Sequence, residues 1–252
     1  MENKDFKNSN NYCYTIIGNG RTARHMKFYL QSQNVRVHQW SRKESTPDDL
    51  KRYISACNIV LILIKDSEIQ KFVQDHPELQ SKILVHFSGA LAIPGISGIH
   101  PLMTFSNHLY SLDFYKKIPF ISEKGNLSFK EVFPQLQNPT SEIDPSLKPL
   151  YHSLCVMGGN FTTLLWTKLF ETFQEKFQFT PELVFPFLDK ITENLKEDYK
   201  TALTGPLVRK DVNTIKKNLT ALENDAFAEV YRSFVQATHP ELLKEIDREH
   251  YN

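Results

Sequence analysis

The sequence predicts an α/β domain with a mainly parallel sheet, followed by an all-α C-terminal domain. Residues 12–122 alternate short apolar runs with amphipathic stretches, which is the pattern of repeated βα units. From Leu147 to Phe173, apolar residues recur at three- and four-residue steps, which indicates one long helix. The segment between them, "QNPTSEIDPSLKP", is polar and contains three prolines, so we expect it to form neither helix nor strand.

These changes in apolar periodicity and composition divide the chain into three parts. We expect a flexible N-terminus at 1–11, the α/β domain at 12–146 and the helical domain at 147–252. In chain order, the predicted strands are 14–17, 35–40, 59–64, 83–87, 99–103 and 118–121. The predicted helices are 21–33, 48–56, one from Asp66 with its carboxylate as N-cap, the long helix, 181–201, 212–222 and 225–236.

The composition excludes several classes of protein. Thirty basic and twenty-nine acidic residues give a net charge of +1 without long runs of one sign, which argues against nucleic-acid or membrane binding. The N-terminal residues lack the apolar core of a secretion signal, so we expect a cytoplasmic protein. Cys13, Cys57 and Cys155 lie far apart without metal-ligand spacing, so we expect reduced thiols and no metal site.

A glycine-rich turn follows the first predicted strand. Residues 18–23 read Gly-Asn-Gly-Arg-Thr-Ala and match GxGxxA between a strand and a helix, which predicts a Rossmann-like dinucleotide-binding domain. Gly18 would allow the tight turn, Gly20 the approach of a pyrophosphate, and Ala23 close packing of helix on strand. The alternative is an ordinary turn in a protein that binds no nucleotide.

The end of the second strand predicts which dinucleotide is bound. An NAD enzyme usually has an acidic residue there to bind the ribose hydroxyls, whereas this chain has Ser41, Arg42 and Lys43. A hydroxyl and two cations suit a 2′-phosphate, with no carboxylate to repel it, so we expect NADP(H). The alternative is that both cations are solvated loop charges.

Loops after the later strands are where the reactive end of the cofactor is expected. His100 could donate a proton to a carbonyl or imine, although it could also be a packed strand end. His152 and Asn160 lie about two turns apart on the long helix, near the paired glycines 158 and 159, which predict that a neighbouring helix or the cofactor approaches closely. The polar turn "LTGPLVRKD" could bind a substrate anion through Arg209, unless Arg209 and Asp211 form a surface pair.

The predicted site residues fall into three groups. The catalytic candidates are His100, His152 and Asn160. The cofactor-binding candidates are Gly18, Asn19, Gly20, Arg21, Thr22, Ala23, Ser41, Arg42, Lys43, Lys65, Asp66, Ser88 and Gly89. The substrate-binding candidates are Thr204, Arg209 and Asp211.

Several stretches together resemble a known family. "IIGNGRTA", "WSR", "HFSGAL", "HPLMTF", "HSLCVMGGNF" and above all "LTGPLVRKD" are similar to Rossmann-like proteins with a C-terminal helical domain of unknown function. These are relatives of pyrroline-5-carboxylate reductase, ketopantoate reductase and 6-phosphogluconate dehydrogenase. The resemblance implies NADP binding, an oxidoreductase activity and dimerisation through the helical domain.

The chain departs from the family pattern at specific positions. The family's LTGPxxRGD has glycine where this chain has Lys210, and small residues where it has Met157-Gly158-Gly159. Related hydroxyacid dehydrogenases carry Lys and Asn on the equivalent helix, but here no Lys lies one turn before Asn160. A lysine-assisted hydride transfer is therefore not expected.

The resulting hypothesis is an NADP(H)-dependent oxidoreductase that binds cofactor between its domains and transfers hydride to or from a small carbonyl or imine. The cofactor would carry the chemistry and the protein would orient the reactants. One alternative is a catalytically silent NADP(H)-binding sensor or scaffold, and another is an interaction domain that binds no nucleotide. We expect a small-molecule substrate and a homodimer.

Overall fold

The structure is a computed structural model that describes residues 12–249. The predicted flexible segment 1–11 lies outside the described residues. Contacts divide the described chain into two compact units, one ending at Trp166 and the other beginning at Thr167. The division at residue 146 follows composition rather than contacts, and it stays a prediction.

A seven-stranded sheet forms the first unit, in the order β2-β1-β3-β4-β5-β6-β7. All neighbouring strands are parallel except β5 and β6, which are antiparallel. The α/β fold with a mainly parallel sheet is therefore confirmed. The strands are β1 Cys13–Ile17, β2 Arg36–Trp40, β3 Ile59–Ile62, β4 Ile83–His86, β5 Ser97–Pro101, β6 Phe120–Glu123 and β7 Thr140–Ile143.

Helices cover both faces of this sheet. The helices of the first unit are α1 Arg21–Ser32, α2 Pro47–Ala56, α3 Asp66–Asp75, α4 Leu112–Tyr115, α5 Phe129–Val132 and α6 Lys148–Cys155, followed by a π-helical segment, Val156–Phe161. Strand β3 shows why both faces are covered, because its alternate residues join two different apolar clusters. Leu61 packs with residues of α1, and Val60 packs with residues of α2 and α3. The resulting burial holds the strand ends, and thus the loops that follow them, in fixed places.

Strand β7 contradicts the expectation that "QNPTSEIDPSLKP" forms neither helix nor strand. Thr140–Ile143 pairs in parallel with β6 at the edge of the sheet. Thr140, Ser141 and Glu142 are exposed, so the strand lacks the apolar alternation on which the sequence prediction depended. The flanking prolines stand just outside the paired residues, where they remove no ladder hydrogen bond.

Two smaller expectations are also wrong. Asp66 is the first residue of α3 rather than its cap, and Lys65 occupies the cap position without a side-chain hydrogen bond.

Cys13 and Cys57 form a disulfide, whereas Cys155 is free. The fold brings these two cysteines together although 44 residues separate them, and their spacing in the sequence gave no sign of it.

The second unit is helical. Its helices are α7, which spans Thr162–Phe177 across the division, α8 Phe185–Asp198, α9 Val212–Ala221, α10 Phe227–Thr238 and α11 Pro240–Glu249. A small core joins Ile215, Val235, Leu242, Leu243 and Ile246. Neither α7 nor α8 contains a buried residue. The apolar face predicted for the long helix therefore exists, but the described residues bury it only in part. Among the described residues, no helix combines the length and apolarity needed to cross a bilayer.

Candidate functional site

The glycine turn joins β1 to α1 as the sequence predicts. Gly18 has a φ of +120°, which favours glycine, and a Cβ there would collide with the carbonyl oxygen of Leu63. Its amide donates to the carbonyl of Trp40 at 2.8 Å. Gly20 is exposed, and a Cβ on it would meet no described atom within 4 Å. Gly18 therefore serves the packing of the strands, while Gly20 leaves room for an incoming group.

The start of α1 is suited to an anion. Gly20 is its N-cap and makes no side-chain cap hydrogen bond, so the first amides of the helix face the open space above the turn. Ala23 is fully buried beneath them in the apolar core. Asn19 and Thr22 are half-buried and Arg21 is exposed, so this part of the turn remains open to a phosphate.

The loop after β2 carries more negative charge than expected. Ser41 is buried, and its hydroxyl lies 3.3 Å from a carboxylate oxygen of Glu44. Arg42 is exposed and lies 3.7 Å from Glu68, and Lys43 is exposed. Two carboxylates therefore lie beside the residues that the sequence predicts to bind the 2′-phosphate, and that role stays a prediction. Glu44 and Glu68 are exposed or half-buried and can turn towards solvent, which leaves both cations available.

A cavity of about 180 Å³ lies at the carboxyl ends of the central strands. Its walls include Thr22 at the start of α1, Leu63 after β3, and Ser88 after β4. Asp66 of α3 and His100 of β5 complete its polar lining. The fold thus brings together five residues from four separate parts of the sequence, and four of the five were predicted as site residues.

Ser88 is fixed by the residues around it. Its hydroxyl donates to Asp66 at 2.5 Å and accepts from the amide of Leu91 at 3.0 Å. The Asp66 carboxylate is therefore engaged by Ser88 rather than by the amides of α3. The neighbouring Lys65 is exposed and makes no cap contact through its side chain.

His100 is paired with a residue that sequence reasoning missed. The hydroxyl of Tyr151 lies 2.7 Å from Nδ1 of His100. Burial, with a smaller contribution from the nearby His152, lowers the pKa of His100 to about 4. Burial, followed by the neighbouring Cys155 thiol, raises the pKa of Tyr151. At neutral pH, a neutral imidazole and a protonated phenol therefore share a hydrogen bond at the cavity wall.

His152 lies against the loop after β4. Its ring is perpendicular to that of His100, with centroids 5.8 Å apart. Among the described residues, its buried Nδ1 has no hydrogen-bond partner. A Cβ at Gly89 would collide with this nitrogen and press on Nε2 of His100. Gly89 therefore allows the imidazoles of His100 and His152 to pack against the backbone of this loop, where no larger residue would fit.

A buried ion pair anchors the helix that carries Tyr151 and His152. Lys148, the first residue of α6, lies 2.5 Å from Glu123 of β6, and both side chains are at most 3% exposed. Glu123 also accepts from the amide of Gly98 at 3.2 Å. His86 of β4 lies 4.0 Å from the same carboxylate, and its Nδ1 accepts from the amide of Ser88. Burial, and secondly the charge of Lys148, lowers the pKa of His86 to about 4.

Asn160 and the paired glycines 158 and 159, which were also predicted to lie near the cofactor or a neighbouring helix, do not line the cavity. Asn160 is exposed in the π-helical segment, apart from the cavity lining. A Cβ at Gly158 or Gly159 would meet no described atom within 4 Å. The expected close approach is therefore not made by the described residues of this chain.

The predicted anion-binding turn belongs to the second unit. Asp211 caps α9, because its carboxylate accepts from the amide and hydroxyl of Thr214. Lys210 has a φ of +53°, a left-handed conformation at the position where the resembling family has glycine. Thr204 and Arg209 are exposed. The Asp211 carboxylate thus has a structural partner in Thr214, and the charge of the exposed Arg209 also acts on it by lowering its pKa.

Four residues around the cavity were absent from the sequence-based site: Tyr151, His86, Glu123 and Lys148. Tyr151 directly precedes the predicted His152, and that adjacency was the only available signal. His86, Glu123 and Lys148 come from three separate elements, and nothing in the sequence relates them.

Comparison with known proteins supports the same fold. Residues 122–238 match the family model "Domain of unknown function (DUF2520)". A "putative NADP oxidoreductase" from Bacteroides fragilis is 22% identical, with a TM-score of 0.74 over 92% of this chain and 99% of that one. Pyrroline carboxylate reductase of Plasmodium falciparum with NADP bound is 15% identical, with a TM-score of 0.58 over 92% and 98%. An imine reductase of Streptomyces aurantiacus is 14% identical, with a TM-score of 0.61 over 90% and 93%.

No curated protein matches the sequence. The similar structures cover nearly the whole chain at low identity, so they establish its architecture. The sequence-based resemblance is confirmed at that level. The chain has a Rossmann-like fold that it shares with these three solved structures, and its residues 122–238 match the DUF2520 model.

Proposed function

We propose that this protein binds NADP(H) and transfers a hydride between it and a small carbonyl or imine substrate. The observation that carries the proposal is that three candidate binding regions lie along the same edge of the sheet. The open glycine turn, the Ser41–Lys43 loop and the cavity with Ser88 and His100 all lie at the carboxyl ends of the strands. Proteins of the same fold include an NADP-bound reductase and an imine reductase.

The residues present fit the cofactor. The exposed Gly20, with no described atom within 4 Å of an added Cβ, leaves room for the pyrophosphate beside the first amides of α1. Arg42 and Lys43 would hold the 2′-phosphate through charge-assisted hydrogen bonds. When bound, the cofactor supplies or accepts the hydride.

The chain's own residues would handle the proton. Reduction of a carbonyl or imine adds a hydride to carbon and a proton to oxygen or nitrogen. His100 lines the cavity, so its ring can give that proton to the substrate while it takes one from Tyr151 across their 2.7 Å hydrogen bond. The half-buried Tyr151, whose raised pKa favours the protonated phenol, then regains a proton from solvent. Ser88, held by Asp66, would orient the substrate or the nicotinamide. His152 and Asn160 stay candidates for substrate orientation, and Thr204, Arg209 and Asp211 for anion binding.

Two measurements test this function. Titration with NADPH and NADH, followed by fluorescence and thermal shift, should show tighter binding of NADPH. Ligand at 100 times its dissociation constant should stabilise the fold by about 2.7 kcal/mol. A panel of small carbonyls and cyclic imines should then oxidise bound NADPH. Binding without turnover across the panel would support the sensor or scaffold instead, and absence of any binding would contradict both.

The exposed helices support a homodimer. Leu183, at 63% exposure, and Leu195, at 50%, belong to the same helical unit as the exposed Phe177. Large contiguous apolar patches are rare on monomers and mark interaction sites. A second copy presenting the same helices would bury it in a self-complementary interface. Light scattering should give the mass of a dimer, and Leu183→Glu should produce monomers while Lys190→Glu does not.

A further inference from the structure

Three chemically versatile side chains meet away from the cavity. Cys13 begins β1, His38 lies within β2, and Cys57 ends α2 just before β3. Their donor atoms, two Sγ and one ring nitrogen, all lie within 4.8 Å of one another. Cys13 stands at the opposite end of β1 from Gly18, about 16 Å along the strand at roughly 3.3 Å per residue. The cluster is therefore separate from the proposed cofactor site.

The third member is what distinguishes this cluster from a plain disulfide. The imidazole of His38 stacks on Tyr53 of α2, with ring centroids 4.8 Å apart and planes within 9°. Tyr53 lies one turn before Cys57, and its carbonyl accepts a hydrogen bond from Thr15 of β1. These contacts hold the ring beside both sulfurs, although a disulfide requires no imidazole.

We propose that, once the Cys13–Cys57 disulfide is reduced, these two cysteines and His38 form a site for a thiophilic divalent cation, with Zn²⁺ as the expected occupant. Zinc favours thiolate and imidazole ligands at about 2.0–2.3 Å in a tetrahedron, which places ligand atoms roughly 3.3–3.8 Å apart. A ring nitrogen of His38 already lies within 4.8 Å of both sulfurs. Reduction frees the two sulfurs, which are bonded to each other in the disulfide, to move apart to that separation, and a water can take the fourth position. Through His38, the metal would link the edge strand β2 to β1 and to the segment before β3. The disulfide links only β1 and that segment.

The chemistry balances without an unnamed reactant. A dithiol reductant transfers two electrons and two protons to the disulfide and becomes a disulfide itself, which leaves two thiols. Binding of Zn²⁺ then releases both thiol protons. The two thiolates neutralise the cation, so the loaded site adds no net charge beside Arg36, which pairs with Cys13 in the sheet, or Arg52. In the reverse direction, a second disulfide would accept two electrons from the thiolates by thiol–disulfide exchange and take up two protons to become a dithiol, which restores the Cys13–Cys57 disulfide and releases Zn²⁺.

The test uses the full chain and Co²⁺ as a spectroscopic probe. The reduced protein should bind one Co²⁺ with sulfur-to-metal charge-transfer absorption, and Zn²⁺ should displace it. The same protein with its disulfide intact should show neither signal. This comparison needs no substitution, so it remains decisive even if a variant fails to fold.

Variants then assign the ligands. Cys57→Ser should abolish the charge-transfer band or shift it, and Cys155→Ser should leave it unchanged. His38→Gln should weaken binding by at least the roughly 10–100-fold lost with an outer-shell partner, while the disulfide still forms on oxidation. Absence of Co²⁺ binding by the reduced protein would overturn the proposal. Equal binding by the reduced His38→Gln variant would also overturn it, because two thiolates alone would then be sufficient.

Discussion

The hydroxyl of Tyr151 and Nδ1 of His100 lie 2.7 Å apart, although 51 residues separate them in the chain. Tyr151 projects from α6 and His100 from β5, so the pair depends on how that helix packs against the sheet. Only His100 lines the cavity, which gives the two residues different roles. His100 would contact the substrate, and Tyr151 would supply the proton behind it.

Tyr151→Phe tests this relay. Removal of the hydroxyl should lower kcat for NADPH-dependent reduction by about 10²–10⁴-fold, the usual contribution of a positioned acid. The dissociation constant of NADPH should stay the same, because Tyr151 does not line the cavity. Tyr199→Phe, at a residue 73% exposed, is the matched control. Unchanged turnover in Tyr151→Phe would contradict the relay.

The buried His86 should make stability depend on pH. Its folded pKa of about 4 lies below its ordinary value of 6.5, so the unfolded chain binds more protons between these values. Its contribution is fully present above pH 6.5 and is lost as the pH falls towards 4. Between pH 7 and pH 5, the loss should be about 2 kcal/mol at most. Urea unfolding at both pH values measures it.

His86→Asn isolates this contribution, because asparagine keeps an acceptor near the amide of Ser88 but does not titrate. The variant should lose less stability than the parent between pH 7 and pH 5. His108→Asn, at an exposed residue, should behave as the parent does. Identical pH dependence in the parent and His86→Asn would show that His86 is not the group responsible.

Replacing only one partner of the buried Lys148–Glu123 ion pair should lower the free energy of unfolding strongly. Lys148→Met leaves an uncompensated carboxylate in the core and should lower the free energy of unfolding by about 3–5 kcal/mol. The double variant Lys148→Met with Glu123→Gln should recover part of that loss. Lys190→Met removes an exposed pair with Glu193 and should change stability by less than about 0.5 kcal/mol. Additive effects of the two buried substitutions would contradict direct coupling.

Cofactor preference should depend on the loop after β2. Arg42→Ala should weaken NADPH binding about tenfold, since a charge-assisted hydrogen bond is worth about 1.5–3 kcal/mol. Binding of NADH, which lacks the 2′-phosphate, should hardly change. Lys51→Ala removes an exposed cation from α2 and serves as the control in a fluorescence titration. Equal weakening of NADPH and NADH would argue against recognition of the 2′-phosphate.

The two glycines of the turn should respond differently to substitution. Gly20→Ser places a side chain in open space at a favourable N-cap residue, so stability should be kept while NADPH affinity falls. Gly18→Ala should destabilise the fold, because its Cβ would meet the carbonyl of Leu63 at a φ of +120°. Thermal unfolding and NADPH titration of both variants separate the two effects. If Gly20→Ser bound NADPH as well as the parent, the pyrophosphate would not lie at this turn.

Elements with strong periodicity could be predicted from the sequence. Strands β1 to β4 and helices α1 and α2 follow apolar patterns that burial against a sheet requires, and the GxGxxA turn falls between the first strand and helix as expected. Strand β7 could not be predicted, because an exposed edge strand takes its stability from pairing with β6 and needs no apolar face.

The sequence by itself determined the fold class and the place of the glycine turn, because these depend on local conformation and on adjacent side chains, and it predicted the residues that would bind a 2′-phosphate. The tertiary structure decided which distant residues meet. Hydrogen bonds and ion pairs act over a few ångströms, so Tyr151 with His100, Glu123 with Lys148, and Cys13 with His38 and Cys57 become partners only when helices and strands pack. Among the described residues, the same packing leaves α7 and α8 without a fully buried residue.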